Sequence, residues 1–362
     1  MECSLVVRRN LNQGASDAMR IKGINYDTGF LNAGTSTHEP FDPDVVRREM
    51  RIIRDDLRCD AVRITGGDVD RLEVAAIHAA DAGLEVWFCP FINDLTQDAV
   101  LTLLADCADR AERLRRRGAK VVLLTGSELS LFTIGFLPGD TLAERLACLA
   151  DIPRLREMIG EIRPRINAFL RQAVDVVRAR FGGPVSYASL PMEGIDWAPF
   201  DIIATDAAYR SAVTAQNFRE TVRAFVAQGR AQGKVVAATE FGCATYRGAG
   251  SVANYVDTII VWGEDGRPAR LNGEYERDEN EQATYVRELL DVFAEEGVDA
   301  AFVYTFARYD LPYRDAPHVD LDLASAGVVR VLERGTAHGP RYPDMPWEPK
   351  AAFDTLADWA RR

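Results

Sequence analysis

The stretch Val121-Val-Leu-Leu-Thr-Gly-Ser-Glu128 is a short apolar run that ends on a carboxylate. A second stretch, Val235-Val-Ala-Ala-Thr-Glu240, has the same form. Runs that are continuously apolar, rather than alternating with polar residues, are typical of parallel strands buried on both faces. Both glutamates are therefore expected at the carboxyl ends of parallel strands, where α/β proteins build their ligand sites.

Apolar runs of this kind recur along the chain, and most are followed by a segment with helical periodicity. They begin near Ile21, Ala61, Leu84, Val121, Val185, Ile202, Val235 and Ala300. The first intervening helix is clear, because Asp42-Pro43 supplies a cap and a first-turn proline ahead of apolar residues spaced by three and four. Only a short segment separates the fifth and sixth runs, so the fifth helix is expected to be missing or a single turn.

Eight strands and a terminal helix predict a closed (β/α)8 barrel, the TIM barrel. We expect it to form one domain over residues 19–362, preceded by an N-terminal extension over residues 1–18. A doubly wound open sheet is the alternative, but no glycine-rich phosphate loop follows any early strand. Long segments after strands four, seven and eight are expected to form walls of the pocket. The segment after strand seven contains a predicted β-hairpin that turns at Asp265-Gly266.

Composition argues against several classes of function. The 362 residues include 43 basic and 55 acidic side chains, a net charge of −12 (43 − 55), with no basic run suited to a phosphate backbone. Nucleic acid is therefore not an expected partner. No stretch resembles a membrane span or a secretory signal, which predicts a cytoplasmic protein without a membrane partner. The six cysteines lack ligand spacing and there are only four histidines, which predicts no disulfide, metal site or other cofactor.

Two carboxylates on the floor of a barrel suggest glycoside chemistry. Cleavage of a glycosidic bond needs a proton donor for the leaving oxygen and a second carboxylate on the opposite face of the sugar. Glu128 and Glu240 can fill these roles, and a separation of about 5–5.5 Å would support a covalent, retaining mechanism. The alternative is that both are ordinary loop carboxylates, since the chain has 55 acidic residues.

Several short motifs accompany the two glutamates. They are Ala61-Val-Arg-Ile64 in the second strand, Ser127-Glu128 after the fourth, Asp206-Ala-Ala-Tyr209 after the sixth and Thr239-Glu-Phe-Gly242 after the seventh. In this order the chain, over roughly residues 19–362, resembles the superfamily of retaining (β/α)8 glycoside hydrolases. The resemblance implies that Glu128 is the acid/base and Glu240 the nucleophile, with a glycosyl-enzyme intermediate that water hydrolyses.

The same resemblance implies that three other residues, Arg63, Tyr209 and Ser127, belong to the substrate-binding site. Arg63 is expected beneath Glu240, although an ion pair with another acid would also explain an arginine in an apolar strand. Tyr209 is expected to orient Glu240, with aromatic packing as the alternative. Ser127 stands where the family usually has an asparagine that binds the sugar 2-hydroxyl, and serine offers only one donor.

Further substrate contacts are expected from Asp206, from Asn25 and Tyr26 at the end of the first strand, and from Phe306. Phe306 lies in Tyr304-Thr-Phe306, at the place where many members of the family carry a sugar-stacking tryptophan. For Asn25 and Tyr26, ordinary turn chemistry is the alternative.

These observations predict a glycosidase that acts on a small soluble glycoside or oligosaccharide. A transglycosidase or biosynthetic enzyme of specialised metabolism that uses the same glutamates is one alternative. A non-catalytic sugar-binding barrel is another. Ser127 favours this last possibility, whereas the joint presence of both glutamates, Arg63 and Tyr209 disfavours it. Oligomeric state is left open.

Overall fold

A computed structural model describes residues 19–32, 34–150, 152–252, 256–333 and 339–359. Its centre is a closed barrel of eight parallel strands that follow one another in chain order, with the last paired to the first. The strands are Ile21–Asp27, Ala61–Gly66, Glu85–Pro90, Val121–Ser127, Val185–Ser189, Ile202–Thr205, Val235–Phe241 and Ala300–Val303. The predicted (β/α)8 barrel is confirmed. The predicted extension over residues 1–18 lies outside the described residues.

Helices follow most of the strands, and the longer ones pack on the outside of the barrel. They are Pro43–Asp55, Val69–Asp81, Gln97–Arg116, Leu129–Phe132, Leu142–Ala150, Ile152–Arg178, Phe218–Ala231, Glu279–Glu296 and Ala351–Asp358. The first begins as predicted, because the Asp42 side chain accepts a hydrogen bond from the Asp44 N–H and a proline follows the cap. Between the fifth and sixth strands there is only a 3-10 turn, Pro191–Glu193. None of the helices in the described ranges is both long and apolar enough to cross a bilayer.

Two layers of apolar side chains hold the scaffold together. The inner layer fills the barrel and draws on all eight strands and no helix; its largest members, Trp87 and Phe302, have ring centroids 4.7 Å apart. Gly23 makes room for Phe302, since a β-carbon there would lie 2.4 Å from the ring. The outer layer lies between strands and helices. Full burial of one large apolar side chain contributes roughly 1.5–3 kcal/mol, so these layers make the barrel a rigid support for its loops.

The segments after strands four, seven and eight carry structure of their own. Two short helices follow strand four. After strand seven, Ile260–Trp262 pairs antiparallel with Pro268–Leu271 and the chain turns through Gly266 at a φ of 73°, which confirms the predicted hairpin. After strand eight, Val329–Val331 pairs with Trp347–Pro349. All three segments start at the carboxyl ends of strands, the face on which both glutamates lie.

Candidate active site

Three carboxylates meet at the carboxyl-terminal mouth of the barrel. Glu240 is the penultimate residue of the seventh strand, and Glu128 directly follows the fourth. Asp206 follows the sixth strand, Ile202–Thr205. One carboxylate oxygen from each of these three residues lies within 4.8 Å of the other two. The barrel therefore brings together the two predicted glutamates and Asp206, which was also predicted at the site.

Glu128 is held on a sharp turn from strand to helix. Its backbone lies in the left-handed region, with φ 47° and ψ 40°, and its N–H donates to the Ala188 carbonyl at 2.9 Å. A residue with a β-carbon is uncommon in this region and costs roughly 1–2 kcal/mol there. The short helix Leu129–Phe132 starts directly after it. Surrounding contacts must supply the energy that keeps this conformation, and the side chain stays partly exposed.

Arg63 lies beneath the cluster and is completely buried. Its two terminal nitrogens donate to the two oxygens of Asp206, at 2.9 and 3.1 Å, and Nη1 also lies 3.2 Å from Glu240 Oε1. Nη1 further contacts Asn25 Oδ1 and the Thr239 carbonyl. The expected contact with Glu240 is present, but the bidentate partner is Asp206. Arg63 has no surface that a substrate could reach, which corrects its assignment to substrate binding.

Glu240 receives a second hydrogen bond, from the hydroxyl of Tyr209 to Oε2 at 3.0 Å. Tyr209 remains partly exposed, whereas Glu240 is 7% exposed. Each oxygen of Glu240 thus faces one donor, Arg63 or Tyr209. Donors of this kind stabilise the ionised form of a carboxylate and hold it in one orientation.

Ser127 contacts protein rather than the open pocket. Its hydroxyl donates to Asp206 Oδ2 at 2.5 Å, and the residue is buried. A serine hydroxyl has a single hydrogen to donate, so that donor is already used. This corrects the expectation of a direct substrate contact for Ser127. Asp206 is likewise buried, and its oxygens accept from Arg63 and Ser127, which corrects the expectation that Asp206 contacts the substrate.

The electrostatics of the site follow from one guanidinium facing three carboxylates. Burial raises the pKa of Glu240 to about 8; the charge of Asp206 adds to the rise, while Arg63 and Tyr209 oppose it. Burial also raises the pKa of Glu128 well above its usual value, and the charges of Asp206 and Glu240 act in the same direction. Like charges this close do not all ionise together, so near neutral pH the cluster retains protons.

The same oxygens are close enough to ligate a cation. The donor set fits a guanidinium better, because Asp206 already presents both oxygens to Arg63 in the bidentate geometry typical of arginine and carboxylate. A metal ion would have to share the oxygens of Asp206 with Arg63.

Three predicted substrate contacts are buried in the scaffold instead. The Asn25 amide donates to the Thr239 carbonyl at 2.9 Å, and the Tyr26 hydroxyl donates to Glu49 in the first helix. Neighbouring residues of a strand point to opposite sides, which explains why these two side chains diverge. Phe306 is 0% exposed and packs edge-on against Trp347, with ring centroids 5.3 Å apart. These expectations for Asn25, Tyr26 and Phe306 are therefore corrected.

The structure also places at the site residues that were not predicted from the sequence. Tyr304, rather than Phe306, stays partly exposed at the end of the eighth strand. Glu193 and Tyr187 lie buried beside the turn that carries Glu128. No motif marks Glu193 in the sequence, and the only local signal is its place in the short segment between the fifth and sixth strands.

Comparison with solved structures places this fold among known proteins. A GH113 beta-1,4-mannanase has a TM-score of 0.56 at 14% identity, over 94% of this chain and 98% of that chain. The GH113 beta-mannanase of Alicyclobacillus acidocaldarius has a TM-score of 0.56 at 16% identity, over 95% and 98%. A beta-glucuronidase of Parabacteroides merdae has a TM-score of 0.54 at 14% identity, over 94% of this chain but 36% of that one.

No protein-family model and no curated protein matches the sequence. Structural likeness at identities of 14–16% establishes the fold. The chain therefore shares its (β/α)8 barrel with glycoside hydrolases of more than one specificity.

Proposed function

We propose that this protein is a retaining glycosidase of small glycosides or oligosaccharides, with Glu240 as nucleophile and Glu128 as acid/base. The observation that carries the proposal is that one carboxylate oxygen of Glu240 and one of Glu128 lie within 4.8 Å of each other. Retaining enzymes place the two carboxyl groups about 5–5.5 Å apart, whereas inverting enzymes need about 6.5–9.5 Å to admit a water molecule. The shorter spacing supports direct attack by one carboxylate on the sugar.

The surroundings of the two glutamates support this division of roles. Glu240 accepts from Arg63 and Tyr209, two donors that favour the ionised form required of a nucleophile. Glu128 sits close to the charges of Asp206 and Glu240, which favour its protonated form. Burial raises the pKa of both carboxyl groups, but only Glu240 has two donors on its oxygens that oppose the rise. A difference of this kind between two carboxyl groups is the usual basis for assigning acid and base.

The reaction then runs in two steps. Glu240 attacks the anomeric carbon while Glu128 gives its proton to the leaving oxygen, so that the glycosidic bond breaks and a glycosyl ester forms. In the second step Glu128, now ionised, takes a proton from water. The resulting oxygen nucleophile displaces Glu240 from the anomeric carbon. The buried charge of Asp206 favours the positive charge that develops on the sugar in both transition states.

The test is intact-protein mass spectrometry after incubation with a panel of 2-deoxy-2-fluoro glycosides. The fluorine slows hydrolysis of the intermediate, so the wild type is expected to accumulate an adduct that maps to Glu240. Glu240→Gln is expected to form none. Glu220→Gln, which changes an exposed residue in the helix Phe218–Ala231, is the matched control and should label like the wild type. An adduct on another residue, or release of product with inverted configuration, would contradict the proposal.

The two alternatives give different outcomes in the same experiment. A transglycosidase forms the same adduct, but an added sugar acceptor rather than water releases it. A non-catalytic barrel binds the glycosides without any gain in mass. Analysis of products with and without acceptor therefore separates the three functions.

A further inference from the structure

The turn that carries Glu128 is held by a buried carboxylate from the next loop. Glu193 ends the 3-10 turn after the fifth strand and is 0% exposed. Its Oε1 accepts from the Tyr187 hydroxyl at 2.7 Å and from the Ser130 N–H at 3.1 Å. Its Oε2 accepts from the Leu190 N–H at 2.8 Å. All of these partners are donors, an arrangement that an ionised carboxylate satisfies.

Tyr187 connects this carboxylate to the residue directly after Glu128. Its hydroxyl donates to Glu193 and accepts from the Leu129 N–H at 2.8 Å. Three consecutive N–H groups, those of Glu128, Leu129 and Ser130, are thus bound by the fifth strand and its loop. The first N–H groups of a helix have no partner within the helix. The contacts with the fifth strand and its loop supply those partners and favour the left-handed conformation of Glu128.

We infer that Glu193 is a positioning residue for the acid/base: together with Tyr187 it fixes the backbone of Glu128 so that the carboxyl proton points at the leaving oxygen. The inference rests on the proposed function. Glu193 touches no reacting atom and acts only through Tyr187 and the N–H groups of the turn.

Electrostatics add to the geometric argument. The charged groups that act on Glu128 are Asp206, Glu240, Glu193 and Arg63; the first three raise the pKa of Glu128 and only Arg63 lowers it. A neutral residue at position 193 would remove one charge that favours the proton on Glu128. Orientation and protonation of the acid are therefore both expected to suffer in Glu193→Gln.

The leaving group provides a readout that separates acid catalysis from general damage to the structure. Phenolate is a poor leaving group and needs the proton, whereas 2,4-dinitrophenolate departs without it. The quantity to measure is kcat/KM, which reports the first chemical step. The substrates are the phenyl and 2,4-dinitrophenyl glycosides of the sugar that the wild type accepts. General acid catalysis is worth about 10²–10⁴-fold, so partial misplacement is expected to cost about 10–100-fold with the phenyl substrate. The loss with the dinitrophenyl substrate should stay below about threefold.

Two variants carry the test. Glu193→Gln removes the charge, and Tyr187→Phe removes only the hydroxyl while keeping the buried ring, so it serves if Glu193→Gln fails to fold. Glu49→Gln is the matched control. Glu49 lies on the first helix, is also 0% exposed, and accepts hydrogen bonds from Tyr26, Tyr309 and Trp347. Any effect of the control is expected to be the same for both glycosides.

The outcomes distinguish this inference from the proposed function. Equal losses on both glycosides in Glu193→Gln and Tyr187→Phe, or no loss on either, would overturn the positioning role. If Glu128→Gln shows the leaving-group dependence and these variants do not, only the positioning role fails. If the wild type cleaves neither glycoside, or Glu128→Gln affects both equally, the proposed function fails and this inference with it.

Discussion

Replacement of Asp206 by asparagine is the most direct test of how the site sets its protonation. The change removes one of three clustered negative charges at nearly constant size. In the wild type the Arg63 guanidinium is shared between Asp206 and Glu240. Replacement of Asp206 leaves it free to interact more strongly with Glu240. The loss of repulsion between the Asp206 and Glu240 carboxylates and the stronger contact with Arg63 both stabilise the ionised form of Glu240. The pKa of Glu240 is therefore expected to fall.

The size of the shift follows from the geometry. One oxygen of Asp206 and one of Glu240 lie within 4.8 Å of each other. Two charges about 5 Å apart interact by about 3.3 kcal/mol at an effective dielectric constant of about 20, and one pKa unit corresponds to about 1.4 kcal/mol. Because Arg63 already neutralises part of Asp206, we expect a fall of roughly 1–2 units from the value of about 8. At pH 6.5 a fall of about 1.5 units raises the ionised fraction of Glu240 from about 3% to about 50%.

The assay is the pH profile of kcat/KM with an activated aryl glycoside. If Glu240 is the nucleophile, as proposed, it acts in its ionised form and kcat/KM rises with pH through its pKa. In Asp206→Asn this rise is expected at lower pH. The falling limb reports loss of the proton from Glu128, the proposed acid. It should also move to lower pH, because the charge of Asp206 raises the pKa of Glu128 as well. Asp310→Asn is the matched control, since Asp310 is a shielded acid paired bidentately with Arg308. A rising limb that stays in place in Asp206→Asn, or moves to higher pH, would refute the reasoning.

Two further predictions test stability and the corrected contacts. Burial raises the pKa of Glu240 from 4.5 to about 8, so the folded state holds this proton more tightly than the unfolded chain and stability falls as pH rises between those values. Glu240→Gln is therefore expected to raise Tm at pH 8.5 and to leave it nearly unchanged at pH 4; equal effects at both pH values would contradict this. Phe306→Ala is expected to cost about 3–5 kcal/mol in urea unfolding, whereas Tyr304→Ala should chiefly raise KM. The opposite pattern would restore Phe306 as the sugar contact.

The scaffold of this protein could be predicted from local signals in its sequence. Strands buried on both faces produce continuous apolar runs. Capping residues and apolar residues spaced by three and four indicate helices, and all of these signals are local. The eight strands, the single turn after the fifth and the hairpin at Asp265-Gly266 were predictable for that reason. The position of Glu128 and Glu240 at strand ends followed from the same signals, because parallel strands all end on one face.

Which side chains reach the mouth of the barrel and which lie buried beneath it depends on contacts between distant parts of the chain. Whether Tyr26 or Phe306 faces a pocket depends on what packs over it, and the covering groups, Glu49 and Trp347, are distant in sequence. The bidentate pairing of Arg63 with Asp206 likewise joins the second strand to the end of the sixth. Hydrogen bonds and desolvation depend on distances that only the closed barrel sets. Asp206 could be predicted at the site, but neither its burial against Arg63 nor the contacts of Glu193 with the turn after strand four could be predicted from local pattern.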